Sequence, residues 1–465
     1  LEPSSTRRRW IGAAILVASA LALGIQTAVV TRTGFLMGDF HAFYCAARVV
    51  AHGNDPYHTE PLRTCEVAFG PKLFFEKNPG VTIPAPLPGY AIAALVPLAV
   101  LPFGVAAALW GALLFLACAA CVATLGTFAR TGWEVALAAL SLTLCAISLP
   151  FGEIVPVALA GICGAAYFAS QARWRAAALC AAGAMIEPHL GLPLCVALAL
   201  WAPATRLTLA VAAVALAALS LVALGFPTNL EYFTSVLPAH ALSEVARDTQ
   251  FSLTAVLATL GAPQLLAVRA GMLWYALMIG IGVTVAGVLA KKTANYALLA
   301  CVPPAFAVFG GTFIHITQMA AALPAAVLLP VYTQSKSRAL AVAALLLLAV
   351  PWLWAVAPTL ILAPFVPVAY LAWQYWARNA RITLLAAIAA ALLLWGLSSL
   401  AAGAPHALHG LHGGAPAIDP RFAEAGWSAF TQKSTTNTIA AWMLRIPTWG
   451  GLALVLALLT REVRG

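Results

Sequence analysis

Charge is what this chain has least of: 9% of its 465 residues are charged and 63% are hydrophobic, where a water-soluble globule would carry about a quarter charged. A soluble domain is thereby excluded, and the chain reads as an all-α polytopic membrane protein. Acid is scarcer than base, with 15 Asp and Glu against 25 Lys and Arg and a net charge of +10. The basic residues are scattered at the ends of apolar runs and form no clustered face, which excludes nucleic acid as a partner and leaves topology as their role. No Ala-x-Ala cleavage site ends the first apolar run, 10–30, which follows Arg7-Arg8-Arg9. That helix is expected to remain as an anchor. No fixed-period repeat and no separate soluble domain stand out, so residues 1–465 are taken as one integral membrane unit.

Apolar runs place spans at 10–30, 104–127, 133–150, 154–170, 174–186, 189–201, 206–226, 265–290, 294–310, 312–332, 340–356, 359–377, 382–401 and 441–459. They amount to about twelve to fourteen crossings. The run 87–101 is short and flanked by Pro84, Pro86, Pro88 and Pro102, which suits an interfacial or re-entrant half-helix. With the N-terminus cytoplasmic, the basic turns at Arg130, Arg173 and Arg175, Arg206, Lys291-Lys292, Lys336 and Arg338, Arg378 and Arg381, and Arg461 and Arg464 all fall inside. Of the 15 acidic residues only Glu2, Glu134 and Glu462 then lie inside, and all 9 histidines lie at or beyond the outer boundary. Chemistry is expected on the outer face, roofed by three hydrophilic stretches at 31–86, 227–269 and 403–439. The expected setting is the plasma (inner) membrane of a bacterial-type cell, with short interfacial helices among the outer loops and membrane lipids as partners.

Of 9 cysteines, Cys118, Cys121, Cys145, Cys163, Cys180, Cys195 and Cys301 fall in apolar segments, as small hydrophobes do. The Cys118/Cys121 spacing lacks the second pair or histidine a metal site would need. Cys45 and Cys65 share the first outer stretch, where an oxidising compartment permits a disulfide if their geometry fits.

Gly38-Asp39-Phe40-His41-Ala42-Phe43-Tyr44, running through Arg48 to Gly53-Asn54-Asp55-Pro56-Tyr57, follows the first span directly. A carboxylate so close to hydrocarbon needs a polar cavity, a partner or a capping role. Asp39 therefore has two readings, a catalytic group or the cap of a helix starting near Phe40. The pattern Asp-x-x-x-Phe-Tyr-x-Ala-Ala followed by Gly-x-Asp-Pro-Tyr resembles the first outer loop of the glycosyltransferase 87 family. These are enzymes of the GT-C fold, similar to polyprenyl-phosphate-mannose-dependent α-mannosyltransferases. The resemblance implies that Asp39 is the general base, with Tyr44 beside it toward the acceptor or the cavity.

Other landmarks are shorter. Gly152-Glu153 and Ile186-Glu187-Pro188-His189 stand where relatives carry Gly-Gln and Lys-Pro-His, so Glu153 and Glu187 replace a Gln and a Lys. His189 is kept as a donor contact; Glu187 is either a cavity group or the cap of the helix that Pro188 starts. In the second outer stretch, with His240, Glu244, Arg247 and Asp248, Arg247 offers a forked guanidinium to phosphate or pairs with Glu244. Gln250, in Thr249-Gln250-Phe251-Ser252-Leu253, matches an Asn-Gln-Ser-Leu element. His315, in Gly310-Gly311-Thr312-Phe313-Ile314-His315, stands near a family histidine able to donate to the leaving phosphate. Lys72 and Lys77 either meet a lipid-linked phosphate or snorkel from an interfacial helix. His406, His409 and His412 lack a helical face around them, and no metal is assigned.

The implied reaction moves a hexose, mannose before others, from a polyprenyl-phosphate donor to a hydroxyl of a lipid or glycan acceptor, with inversion. One base and positioned phosphate donors suffice for it. No Asp-x-Asp pair stands in the first outer stretch, which favours metal-independent chemistry without a cofactor. A lipid or sugar transporter, with polar residues near the midplane, and a non-catalytic scaffold of envelope glycan assembly are the alternatives.

Overall fold

A computed structural model describes residues 5–33, 35–70, 72–245, 247, 249–333, 335–350, 352, 418–434 and 439–464. Among these the secondary structure is helical, with two isolated β-bridges and no strand. Backbone groups in hydrocarbon have no water to bind, so apolar runs close their hydrogen bonds within themselves as helices.

α1 (Ser5–Thr33) comes first, and α2 (Gly38–Ala51), α3 (Thr59–Phe69) and α4 (Lys72–Lys77) follow it. The hydrophilic stretch 31–86 is thus largely helical rather than loop among its described residues. A disulfide between Cys45 and Cys65, whose Cα atoms are 5.6 Å apart, ties α2 to α3. α5 (Gly89–Ala99) has 11 residues, about 16 Å at 1.5 Å per residue and roughly half a bilayer core. That length agrees with a segment that does not cross.

α6 (Phe103–Phe128) spans, and α7 (Trp133–Leu140) continues through a π-helical stretch, Ser141–Ser148, into α8 (Leu149–Phe151). Then come α9 (Val155–Ser170), α10 (Trp174–Ala184), α11 (Pro188–Trp201) and α12 (Arg206–Glu231). Here the structure departs from the expected end at residue 226. Gly225 breaks the helix at φ +72°, so Pro227 begins a new helical turn where it needs no donor. The helix then proceeds through a π turn, Tyr232–Val236, into α13 (Leu237–Ser243).

α14 (Leu253–Thr259), α15 (Gln264–Thr293), α16 (Leu298–Ala307), α17 (Leu323–Tyr332) and α18 (Ser335–Ala349) complete the bundle, with α19 (Ala423–Ser434) and α20 (Ile439–Arg464) near the C-terminus. Six described helical segments are long and apolar enough to cross a membrane, Gly12–Arg32, Phe103–Phe128, Trp133–Phe151, Pro203–Ser243, Gln264–Thr293 and Trp442–Val463. Shorter apolar helices fill the remainder, and the protein is a multi-pass helical membrane protein. The expected spans 359–377 and 382–401, the end of 340–356, the turn residues Arg378 and Arg381, and His406, His409 and His412 lie outside the described residues.

Among the described residues, the two largest hydrophobic clusters hold the helices together. The larger one is rich in alanine and leucine from α7, α9, α11, α16, α17, α18 and α20. The smaller one is aromatic and gathers α2, α5, the first half of α6 and α19. In it Phe40 stacks on Trp110 at 5.4 Å between centroids, and Trp110 Nε1 donates to the Gly152 carbonyl at 2.8 Å. Gly152 sits at φ +73°, and a Cβ there would come within 2.7 Å of Phe40 Cβ. Only glycine fits on both counts, and the contact locks the α8–α9 turn against the start of α2.

Candidate active site

The aromatic and aliphatic clusters meet around a cavity of about 210 Å³, whose wall takes Ile154, Tyr232 and Trp427 from one and Ile316 from the other. Asp39, Glu153, Glu187, His189, Arg247 and His315 all line it. Six residues singled out along more than half of the sequence are therefore brought together.

Asp39 enters from α2. The N-cap of that helix is Met37, whose amide donates to the Pro150 carbonyl at 2.8 Å. Asp39 stands in the first turn, where the helix dipole favours a carboxylate, and it is not the cap. Glu153 leaves the α8–α9 turn, and its Oε2 is buried without a hydrogen-bond partner. Burial pushes the Asp39 carboxyl up from 3.8 to about 6; Arg247 opposes the rise and Glu244 adds to it. Burial again, with the Asp39 charge second, raises Glu153 from 4.5 to about 8, against the hydroxyls of Thr317 and Ser148. Asp39 ionises first and thereby hinders Glu153.

A second group in the cavity is built on Glu244, which the sequence offered only as a partner for Arg247. Its buried carboxylate accepts from Trp427 Nε1 at 2.6 Å, Gln250 Nε2 at 3.2 Å and Arg247 Nη1 at 3.4 Å. His315 Nε2 lies 3.7 Å away. Despite the cost of burial, Arg247, His315, His240 and the Trp427 hydrogen bond hold Glu244 at about 2, below its usual 4.5. Gln250 Oε1 accepts from the Ile314 amide at 2.9 Å, so its Nε2 is the donor, 3.3 Å from a ring nitrogen of His315. His315 therefore accepts there as a neutral imidazole. Burial lowers its pKa to about 4, the Glu244 charge offsetting part of the drop.

The network continues across elements. The His315 amide donates to Gln318 Oε1 at 2.9 Å, and Gln318 Nε2 donates to Glu187 Oε1 at 3.0 Å. Glu187 Oε1 also lies 3.0 Å from His189 Nδ1. Glu187 occupies the N-cap position of α11 but makes no capping hydrogen bond; its carboxylate belongs to the cavity. Tyr275 Oη donates to the His189 carbonyl at 2.9 Å and fixes that turn.

Four of the sequence candidates do not line the cavity. Tyr44 is buried behind it, its Oη donating to the Leu101 carbonyl at 2.8 Å. Gln250 is buried one layer back, orienting Glu244 and His315. Lys72 and Lys77 are exposed on α4. Asp248 lies outside the described residues. Sequence reasoning missed the wall roles of Gln318, His240 and Trp427. Gln318 ends the run that carries His315 and was within reach; Trp427 had no local signal at all.

Among the described residues, two groups bring metal-ligating atoms within 4.8 Å of one another: His240, Glu244 and His315 in the cavity, and Asp55, His58 and Glu231 outside it. In the first, both Glu244 oxygens already accept hydrogen bonds, and Arg247 stands against the carboxylate. A divalent ion would have to displace those donors beside a fixed positive charge.

The model of the family described as glycosyltransferase family 87 matches residues 88–302. Over that region the chain is similar to glycosyltransferase family 87. The family is one of membrane glycosyltransferases, and the matched region includes Glu153, Glu187, His189, Glu244, Arg247 and Gln250. Asp39, His315 and Trp427 lie outside the match and reach the same cavity by folding. No curated protein and no solved structure matches the chain significantly.

Proposed function

We propose that this glycosyltransferase moves a hexose, mannose in first place, from a polyprenyl-phosphate donor to a hydroxyl of a lipid or glycan acceptor. The site faces the outer side of the plasma membrane, with the N-terminus cytoplasmic. The observation that carries the reading is the convergence in one cavity of the carboxyls Asp39 and Glu153 with Arg247, His315 and His189.

Asp39, with a pKa near 6, is ionised at neutral pH yet basic enough to act. It takes the acceptor hydroxyl proton as that oxygen attacks the anomeric carbon, opposite the bond to phosphate. The C–O bond to phosphate breaks with its electron pair, and configuration inverts. The charge developing on the phosphate faces Arg247, which Glu244 and the Trp427 ring 5.2 Å away hold in place. His315, as a neutral imidazole, and His189 donate hydrogen bonds to the same group. Glu153, protonated at neutral pH, orients the acceptor. Glu187 belongs to the acceptor or cavity side, held there by His189 and Gln318.

Lys72 and Lys77 meet headgroups from α4 rather than the reacting phosphate. Tyr44 and Gln250 shape the site from behind. The engagement of Glu244 by three donors supports a reaction without a metal.

The purified protein in vesicles, given synthetic polyprenyl-phosphate mannose or glucose and a lipid extract as acceptor, is expected to release polyprenyl phosphate and label the acceptor. Release without a glycosylated product, or no turnover with any polyprenyl-phosphate sugar, would remove this reading.

A further inference from the structure

Outside the catalytic cavity, three ligating side chains come together from two remote segments. Asp55 and His58 stand in the connection between α2 and α3 and Glu231 at the end of α12, and one ligand atom of each lies within 4.8 Å of the other two. None of the three lines the cavity. Two tyrosines set the register between the segments. Tyr57 and Tyr232 stack at 5.3 Å between centroids, and their hydroxyls donate to the carbonyls of Leu87 and Pro86 at 2.8 and 3.1 Å. His58 follows the first tyrosine and Glu231 precedes the second, so the stack presents an imidazole to a carboxylate. The His58 ring is steadied by the Phe422 ring, 5.6 Å away, and by a backbone bridge between the two residues.

Each carboxylate uses one oxygen elsewhere and turns the other to the imidazole. Asp55 Oδ1 accepts from the Tyr57 amide at 2.9 Å, and its Oδ2 lies 4.0 Å from His58 Nε2. Glu231 Oε1 lies 3.9 Å from Arg421 Nη2, and its Oε2 lies 3.7 Å from the same imidazole nitrogen. That nitrogen is shielded from solvent and has no hydrogen-bond partner. Separations of 3.7 and 4.0 Å are too long for a hydrogen bond. They approach the spacing of two ligands on one ion, since atoms about 2.0–2.2 Å from a tetrahedral centre stand roughly 3.4 Å apart. A direct ion pair has no use for that gap, and an ion between the three groups requires it. Charge points the same way: Arg421 places its hydrogen bond on Asp419, Nε to Oδ2 at 2.9 Å, so one guanidinium stands among three carboxylates.

We propose that Asp55, His58 and Glu231 hold one divalent ion of the zinc type. The imidazole sets the class, because calcium and magnesium take oxygen ligands while zinc takes nitrogen and carboxylate together. Three protein ligands leave a position for water. The consequence is structural. The Thr59 amide donates to the Arg421 carbonyl at 2.7 Å and the Ala423 amide to the Tyr57 carbonyl at 3.1 Å, so the start of α19 is already laced to the segment that carries His58. An ion there fastens α12 to the same lacing, and α19 delivers the Trp427 indole to Glu244. The site acts on the fold and not on the reacting atoms, and it does not depend on the reaction proposed above.

Purified full-length protein, stripped with a chelator and dialysed, is titrated with zinc chloride. One zinc ion per chain is expected to bind and the unfolding temperature to rise with zinc concentration, while calcium chloride does neither. His58→Ala and the nearly isosteric Glu231→Gln are each expected to weaken zinc binding by about 100-fold and to abolish the thermal shift. His240→Ala, in the other group of ligating atoms, is expected to leave zinc affinity unchanged. No zinc uptake, uptake unaltered in His58→Ala, or uptake lost in His240→Ala overturns the proposal. On the unmodified protein, which needs no variant to fold, zinc is expected to slow amide hydrogen exchange at 57–60 and 228–232. Exchange in both segments unmoved by saturating zinc overturns it as well.

Discussion

Glu153 and Glu244 are the same residue type in the wall of the same cavity, and the fold treats them in opposite ways. Glu153 has a buried oxygen with no hydrogen-bond partner and is raised to about 8. Glu244 is more deeply buried, receives an indole, an amide and a guanidinium, and is held at about 2. Partners, and not depth, decide which carboxylate keeps its charge. The consequences for stability differ in sign. A depressed pKa means Glu244 stabilises the fold above pH 4.5, and that contribution is lost as pH falls toward about 2. A raised pKa means Asp39 costs stability as pH climbs from 3.8 through about 6, and Glu153 does so from 4.5 through about 8.

The largest effect should fall on the raised carboxylates. Asp39→Asn keeps the shape and removes the base, and kcat for sugar transfer is expected to fall about 10²–10⁴-fold with the protein folded. Near-normal turnover by a folded variant would take Asp39 out of the mechanism and turn attention to Glu153.

Removing the well-partnered carboxylate should instead unfold. Glu244→Ala orphans the Trp427 indole and leaves Arg247 uncompensated. It should cost about 3 kcal/mol, the low end for a broken buried pair, since the Arg247 side chain is 33% exposed. Glu153→Gln should cost far less, because no partner is lost. Thermal unfolding of the two variants in detergent at pH 7 measures the difference, and equal losses would erase the contrast.

A smaller effect separates the two raised groups. kcat/KM should decline below about pH 6 as Asp39 is protonated, and above about pH 8 as Glu153 adds charge to a cavity that must admit phosphate. In Glu153→Gln the alkaline limb should disappear while the acid limb stays. A profile identical to that of the unmodified protein would show that Glu153 does not titrate in the cavity.

The smallest expected effect is none. EDTA should leave the rate within about twofold, because Glu244 is already engaged by hydrogen-bond donors and the phosphate charge meets Arg247. A rate abolished by chelation and restored by a divalent ion would assign His240, Glu244 and His315 to that ion.

Helices were legible in the sequence because the membrane makes them so. An apolar run must satisfy its own backbone, and its length sets whether it crosses; that logic placed α6 and α15 within a few residues and kept α5 from crossing. It failed at Pro227, where a break at Gly225 turned an expected helix end into a new first turn. Asp39 was legible from its boundary position and from the residues around it. Its alternative as a cap gave way only when Met37 proved to hold the N-cap position.

The sequence by itself determined a charge-poor helical membrane chain, a disulfide-capable stretch after the first apolar run and six candidates for one site. Only the tertiary structure decided which polar groups meet. An i,i+3 pair such as Glu244 and Arg247 can be read from helical spacing. Trp427, 183 residues beyond Glu244, and Gln318, 131 beyond Glu187, cannot be. Such pairings arise where packed helices bring remote segments together in low dielectric, and there each hydrogen bond decides whether a buried carboxylate is an anion or an acid.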